Sequence, residues 1–146
     1  MKRINQKLQK MHQYQFLFYL DQKQERVFRR QCIVPMDWQV EDAVSYLAQS
    51  LTIPIEKWTC VECREVYLLT RDLVQMNNQS GDRLTFYWVD VKEYSIELKH
   101  KQQEHLIYVL TDYVTDEEEV TSQIKAIVPD MSIHTDYYAD CWLRSS

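Results

Sequence analysis

The chain contains a single glycine, Gly81, among its 146 residues. A chain of this length would carry about ten on average, since glycine makes up roughly 7% of protein residues. Glycine is needed where the backbone approaches a phosphate, turns at positive φ or forms a nucleophile elbow. The sequence therefore excludes a P-loop, a dinucleotide-binding fingerprint, a G-x-S-x-G hydrolase motif and an EF-hand loop.

The remaining composition is that of a globular protein, with 45% hydrophobic and 12% aromatic residues. No stretch reaches the roughly 20 apolar residues that a membrane span requires. The first residues are charged and lack the apolar region of a secretory signal. We therefore expect a cytoplasmic protein without membrane contact, whose four cysteines are reduced thiols.

Apolar periodicity predicts strands and helices in the first half of the chain. A helical stripe covers residues 2–11, and alternating side chains predict antiparallel strands at 14–20 and 26–34. Asp37 is a plausible N-cap for the helix that follows, before a third strand at 55–61. That helix is expected to bury one apolar face, formed by Val40, Ala43, Val44, Leu47, Ala48 and Leu51.

Residues 62–76 follow helical spacing, which favours a helix, whereas the alternative is a strand that continues through Leu69. Residues 77–82 then form a loop. Beyond it we expect strands at 84–98 and 104–114, and a last strand at 131–138. Between them, Thr115 and Glu118 form a capping box that opens a second helix.

The two halves align at a shift of about 78 residues, which places Leu20 over Leu98 and Cys63 over Cys141. Few identities support this alignment, so a chance likeness between two similar segments is the alternative. The predicted fold is α+β, with two tandem β-β-α-β units, or α-β-β-α-β units, and mainly antiparallel sheets whose helices pack on one face. The units are residues 1–76 and 83–146, joined by the loop at 77–82.

Cys60 and Cys63 form the one sharp chemical motif, a C-x-x-C pair. Such a pair can bind zinc or act as a redox dithiol. Zinc requires two more ligands, and no second close pair is present. Glu62 would raise a neighbouring thiol pKa rather than lower it. We therefore expect structural thiols and no metal or other cofactor, with zinc and redox chemistry as the alternatives.

Charge divides the chain into a basic start and an acidic remainder. Residues 1–30 carry eight basic and two acidic side chains, while residues 31–146 carry nine basic and 20 acidic ones. A candidate acidic face for a basic partner protein consists of Asp112, Asp130, Asp136 and Asp140. A basic hairpin rich in aromatic residues could instead hold nucleic acid, through Arg26, Arg29, Arg30 and Tyr19.

No arrangement of catalytic residues is recognisable, so we expect a protein that is not an enzyme. The favoured hypothesis is a regulator, inhibitor or adaptor that binds another protein, one with a basic surface, by covering part of it. A phage or mobile-element product acting on a host enzyme would fit this description. The alternative is a nucleic-acid-binding module that uses the basic hairpin.

Overall fold

Alternating apolar side chains along six strands determine most of the fold. The computed structural model describes residues 2–21, 23, 26–51, 57–69 and 88–144. The helices are α1 (Lys2–Lys7), α2 (Val40–Leu51) and α3 (Glu117–Ile127). The strands are β1 (Gln9–Tyr19), β2 (Val27–Pro35), β3 (Lys57–Leu68), β4 (Trp88–His100), β5 (Gln103–Thr111) and β6 (Ser132–Arg144).

The six strands close into one barrel in the order β1-β2-β6-β4-β5-β3. β1 pairs antiparallel with β2 and β3, and β4 pairs antiparallel with β5 and β6. Parallel contacts of β2 with β6 and of β3 with β5 join these two sets. The predicted tandem units with their own sheets are therefore wrong, because the strands of both halves belong to a single mixed sheet.

The helices also differ from the expectation that they pack on one face. α2 buries Ala43 and Leu47 against aromatic residues of β1. α3 buries Val120 and Ile124 in a different cluster, formed with β4, β5 and Ile4 of α1. The helices thus cover separate parts of the barrel wall, because each apolar stripe packs on the strands nearest to it. None of the helices in the described ranges is long and apolar enough to cross a membrane.

A third apolar cluster occupies the barrel interior, and all six strands contribute to it. It contains Met11, Ile33, Val66, Leu68, Val91, Leu110 and Cys141. Burial of apolar surface stabilises a fold by roughly 25 cal/mol per Å², so this cluster ties the strands of both halves together.

The preferred helix over residues 62–76 is wrong where the structure describes it. β3 continues to Leu68, as in the alternative interpretation, because Val66 and Leu68 point into the barrel while Tyr67 packs on the outer wall. The first helix ends at Lys7 rather than near residue 11, since Met11 already belongs to β1 and to the interior cluster.

Two helix starts also differ from their predicted positions. α2 begins at Val40, and the Asp42 carboxylate accepts a hydrogen bond from the Gln39 amide, so Asp37 is not its N-cap. The N-cap of α3 is Asp116, whose carboxylate accepts from the Glu119 amide at 2.9 Å. Both shifts are small and leave the buried helix faces in place.

The two sets of strands have a β-bulge at corresponding positions. The β1–β3 register shifts between Gln15 and Phe16, and the β4–β6 register shifts between Glu93 and Tyr94. These positions show the same spacing of 78 residues as the proposed repeat. The duplication itself remains a prediction, and the proposed loop at residues 77–82 lies outside the described residues.

Candidate functional site

The two parallel ladders that close the barrel are short. Within the described strands, β2 and β6 form one residue pair, Ile33 with Leu143, and β3 and β5 form two, at Tyr67 and Leu68 of β3. All of these pairs lie near the carboxyl ends of their strands, so pairing is lost toward the amino ends. The barrel is therefore closed at one end and divided at the other into two three-stranded sheets.

A polar cluster fills the interior where the barrel begins to divide. Glu93 of β4 is fully buried, Gln13 of β1 is 2% exposed, and Gln13 lies directly opposite Arg64 of β3. Arg64 Nη2 donates to both carboxylate oxygens of Glu93, at 2.8 and 3.0 Å. Gln13 Nε2 donates to Glu93 Oε2 at 3.1 Å, and Arg64 Nε donates to Gln13 Oε1. Three strands are thus joined by one set of charge-assisted hydrogen bonds.

Two tyrosines enclose the guanidinium group of Arg64. Its central carbon lies 3.9 Å from the ring centre of Tyr108 and 4.5 Å from that of Tyr138. Arg64 Nη1 also donates to the Tyr138 hydroxyl at 3.1 Å. Tyr108 belongs to β5 and Tyr138 to β6, so Arg64 connects β3 with every strand of the second set.

Burial governs the ionisation of this cluster. It raises the pKa of Glu93, although the Arg64 charge and the Gln13 amide oppose that change. Burial would lower the pKa of Arg64, but the Tyr138 hydroxyl and the Glu93 charge outweigh it and the pKa is raised. Because Glu93 has no exposed surface, a substrate cannot reach its carboxylate, and we assign the cluster to holding the strands together.

Tyr137 and Tyr138 are consecutive residues at the bulge of β6, and they are 52% and 47% exposed. The Tyr137 hydroxyl donates to Asp140 Oδ1 at 2.7 Å, which raises the pKa of Tyr137 to about 12. Its ring packs edge-on against Tyr94, with 6.0 Å between ring centres. Tyr138 is fixed through Arg64, so both exposed rings have defined positions.

A cleft lies between the amino-terminal half of β2 and the middle of β6. Two adjoining cavities of about 240 and 490 Å³ share Arg29, Arg30 and Gln31 as lining residues. From β6, the lining includes Tyr138 and Asp140. We define the β2–β6 cleft by Gln15, Arg29, Arg30, Gln31, Tyr138, Ala139, Asp140 and Cys141.

The Gln31 side chain crosses this cleft. Its Nε2 donates to the backbone carbonyl of Asp140 at 2.9 Å and to Cys141 Sγ at 3.2 Å. Gln13 Nε2 lies 3.4 Å from Gln31 Oε1, which links the floor of the cleft to the buried cluster. A side-chain amide thus donates the hydrogen bond that a backbone amide would donate if the two strands were paired here.

The four predicted acidic residues do not form one continuous face. Asp112, after β5, accepts hydrogen bonds from the Val114 and Thr115 amides and shapes that turn. Asp130 forms an ion pair with Arg3 at 2.6 Å, beyond the opposite end of β5. Asp136 and Asp140 both lie on β6, and of the four only Asp140 lines the β2–β6 cleft.

The predicted nucleic-acid residues are divided in a similar way. Arg26 lies 3.5 Å from Asp21 in an exposed ion pair, and Tyr19 is half-buried at the end of β1. Arg29 and Arg30 line the cleft together. Phe16, an aromatic residue of the same hairpin, is fully buried and cannot stack on a base.

The C-x-x-C pair lies within β3 and not at the start of a helix. Cys60 is half-buried and Cys63 exposed, and burial raises the pKa of both thiols. Raised pKa values disfavour the thiolate that redox and metal chemistry need. The described residues contain no group of three or more potential metal ligands.

Sequence reasoning missed Arg64, Glu93 and Gln13. The sequence contained only a weak indication of the buried position. In the alternating pattern of β4, Glu93 lies on the same face as Val91 and on the face opposite to Tyr94. A single charged residue in a strand is more often solvated than buried, so this pattern did not identify it.

No protein-family model, curated protein or solved structure matches the sequence.

Proposed function

We propose that the protein is a non-enzymatic regulator, inhibitor or adaptor that binds another protein and covers part of its surface. The observation that carries this proposal is the pair of half-exposed tyrosines at the β6 bulge, Tyr137 and Tyr138. Tyrosine is enriched at the energetic centres of protein interfaces, where it combines a large apolar ring with a hydroxyl group.

The two rings are held in place before any partner binds. Tyr137 is fixed by Asp140 and Tyr94, and Tyr138 by Arg64 and Tyr108. Ordering a side chain at an interface costs about 0.5–1.5 kcal/mol, so a ring that is already ordered loses less free energy on binding. This arrangement favours recognition of a folded or extended polypeptide over a diffuse electrostatic contact.

Further apolar surface lies beside Tyr137. Tyr113 is 44% exposed and Val114 is 85% exposed, in the turn that Asp112 shapes. Lys92 Nζ lies 5.7 Å from the Tyr113 ring centre. The Tyr94 hydroxyl donates to the Thr115 carbonyl of this turn and the Tyr94 ring packs against Tyr137, so the turn lies near Tyr137. Together these side chains form an exposed aromatic surface suited to a protein partner.

Charge is divided across the cleft. β2 contributes Arg29 and Arg30, while β6 contributes Asp140. A partner with basic groups opposite β6 and acidic groups opposite β2 would be complementary, which fixes orientation and discriminates against other partners. The basic partner surface expected from the sequence corresponds to the β6 side.

The test is affinity capture from an extract of the native host, with proteins quantified by mass spectrometry. Wild type is compared with Tyr137→Ala, and Leu106→Ala serves as a matched control because Leu106 is 56% exposed on β5. The proposal expects a protein that wild type and the control retain and that Tyr137→Ala loses at least tenfold. Equal capture by all three would contradict it.

A nucleic-acid-binding function is measured in parallel, because Arg29 and Arg30 line one cleft. The measurement is binding to single- and double-stranded oligonucleotides at two salt concentrations. Salt-sensitive binding that is lost in Arg29→Ala, with no Tyr137-dependent protein partner, would replace the present proposal.

A further inference from the structure

We propose that the partner inserts an extended peptide strand into the β2–β6 cleft, antiparallel to both strands and with an acidic side chain beside Arg29 and Arg30. This inference rests on the proposed function, since it specifies what the partner presents at that surface. Three features support the proposal. The ladder between the long strands β2 and β6 is short, cavities lie beside this ladder, and charged side chains line the cavities.

The first observation is the mismatch between strand length and pairing. β2 spans Val27–Pro35 and β6 spans Ser132–Arg144, yet their described ladder holds the single pair Ile33–Leu143. β2 pairs on its other side with β1 along its whole length, and β6 pairs with β4 over most of its own. The edges that face each other across the cleft are therefore two sheet edges, which are templates for another strand.

The second observation is the direction of these strands. β2 and β6 are parallel, so one strand placed between them can be antiparallel to both. In such a strand, the amide and carbonyl groups of every second residue point to β2, and those of the residues between them point to β6. Both sets can form the perpendicular hydrogen bonds of antiparallel pairing. Polypeptide backbone is the ligand that supplies this alternating pattern on both sides.

The third observation is the chemistry that occupies the cleft. Gln31 Nε2 donates to the Asp140 carbonyl, a β6 backbone acceptor, from the β2 side. Gln31 Oε1 also accepts from Gln15 Nε2 at 3.3 Å and from Gln13 Nε2 at 3.4 Å. An entering strand would displace these side-chain hydrogen bonds and replace them with a series of backbone bonds.

Charge defines the occupant further. The cleft is lined by two cations, Arg29 and Arg30, and one anion, Asp140. The Asp140 carboxylate accepts a hydrogen bond from the Tyr137 hydroxyl at 2.7 Å, so it is already engaged. Arg30 is engaged as well, since its Nη1 donates to the Arg29 carbonyl and its guanidinium lies over the Phe28 ring. The positive charge of Arg29 therefore favours a peptide with an acidic residue at that point.

The experiment uses the full chain and a phage-displayed library of random heptapeptides. The best peptide is synthesised, and its affinity is measured by fluorescence anisotropy. We expect acidic residues to be enriched, and Arg29→Glu to weaken binding at least tenfold. Lys57→Glu is the matched control, a charge reversal at the exposed start of β3, which β1 separates from β2, and it should leave the affinity within about twofold.

N-methylation of the peptide separates strand insertion from other modes of binding. In an inserted strand every central amide donates to β2 or β6, so methylation at two consecutive central positions should each weaken binding about tenfold. Loss at alternate positions only would mean pairing with one edge and would overturn insertion. Hydrogen exchange should slow at residues 28–31 and 136–140 in the complex, and protection elsewhere would also overturn it.

The outcomes distinguish this inference from the proposed function. If capture of a partner depends on Tyr137 while the β2 amides exchange at unchanged rates in that complex, the proposed function stands and strand insertion is wrong. If the library yields no peptide that prefers wild type over Arg29→Glu, strand insertion is also wrong. If no Tyr137-dependent partner exists, the proposed function fails, whatever the peptide result.

Discussion

Arg64 of β3 and Glu93 of β4 form a bidentate ion pair inside the barrel, with Nη2–oxygen distances of 2.8 and 3.0 Å. The two strands are not neighbours in the sheet, since β5 lies between them. The pair therefore connects the two antiparallel sets across the interior, in addition to the short ladders at the wall. Its carboxylate is fully buried and the arginine side chain is 13% exposed, so each charge depends on the other.

Removing one member of this pair should be costly. Glu93→Ala leaves the Arg64 charge without its buried partner, and we expect a loss of about 3 kcal/mol in the free energy of unfolding. Urea denaturation at pH 7 measures it. Replacing both residues, in Arg64→Met with Glu93→Leu, should recover most of this loss, because an apolar pair carries no desolvation penalty. A Glu93→Ala variant with the wild-type urea midpoint would contradict the assigned role.

The geometry of Arg64 should matter as well as its charge. Arg64→Lys keeps the positive charge but loses the planar group that stacks on Tyr108. It also loses the three nitrogen atoms that donate separately to Gln13, Tyr138 and Glu93. We expect a loss of about 2 kcal/mol in the free energy of unfolding. Arg26→Lys, in an exposed ion pair with Asp21, is the control and should change it by less than about 0.5 kcal/mol. Equal effects of the two substitutions would refute the stacking argument.

Acid stability should depend on Asp130. The Arg3 guanidinium lowers the pKa of this carboxyl from 3.8 to about 2. A lowered folded-state pKa stabilises the protein above pH 3.8, and that contribution is lost as the pH falls from 3.8 to about 2. Urea midpoints between pH 5 and 2 should therefore fall less steeply for Asp130→Asn than for wild type. Arg3→Gln should reproduce this change, and a wild-type slope in both variants would refute the linkage.

Thiol reactivity should follow exposure. Cys63 is exposed and Cys60 half-buried, whereas Cys32 and Cys141 are buried and burial raises the pKa of Cys32 to about 12. Iodoacetamide at pH 7.5 should modify Cys63 first, as peptide mapping can show, and Cys63→Ser should remove the fastest phase. A chelator should leave the melting temperature unchanged. Fast labelling of Cys141, or one tightly held zinc ion per chain, would disagree with structural thiols.

Local patterns in the sequence were sufficient for several elements. Alternation predicted the strand near residues 14–20 and its antiparallel neighbour, and β1 and β2 pair in that way. Helical spacing of apolar residues predicted the buried face of α2. These features depend on neighbours within one or two turns or strands, so propensity and periodicity are enough to locate them.

The segment after Glu62 shows where such patterns fail. Val66 and Tyr67 fit both helical and alternating spacing, and the preferred helix was wrong. The strand is stabilised by pairing with β1 and by burial of Val66 inside the barrel. Those partners lie far away in the sequence, and tertiary contacts override a local preference of this size.

The sequence by itself determined which side chains alternate along each strand, where the helices bury apolar residues, and that glycine-dependent phosphate and nucleophile loops are absent. Only the tertiary structure decided that the strands close into one barrel, and that Arg64 meets Glu93, 29 residues further along the chain. The physical reason is that a charged residue in a strand can either face solvent or be buried beside a partner of opposite charge. Long-range pairing across the barrel selects between the two.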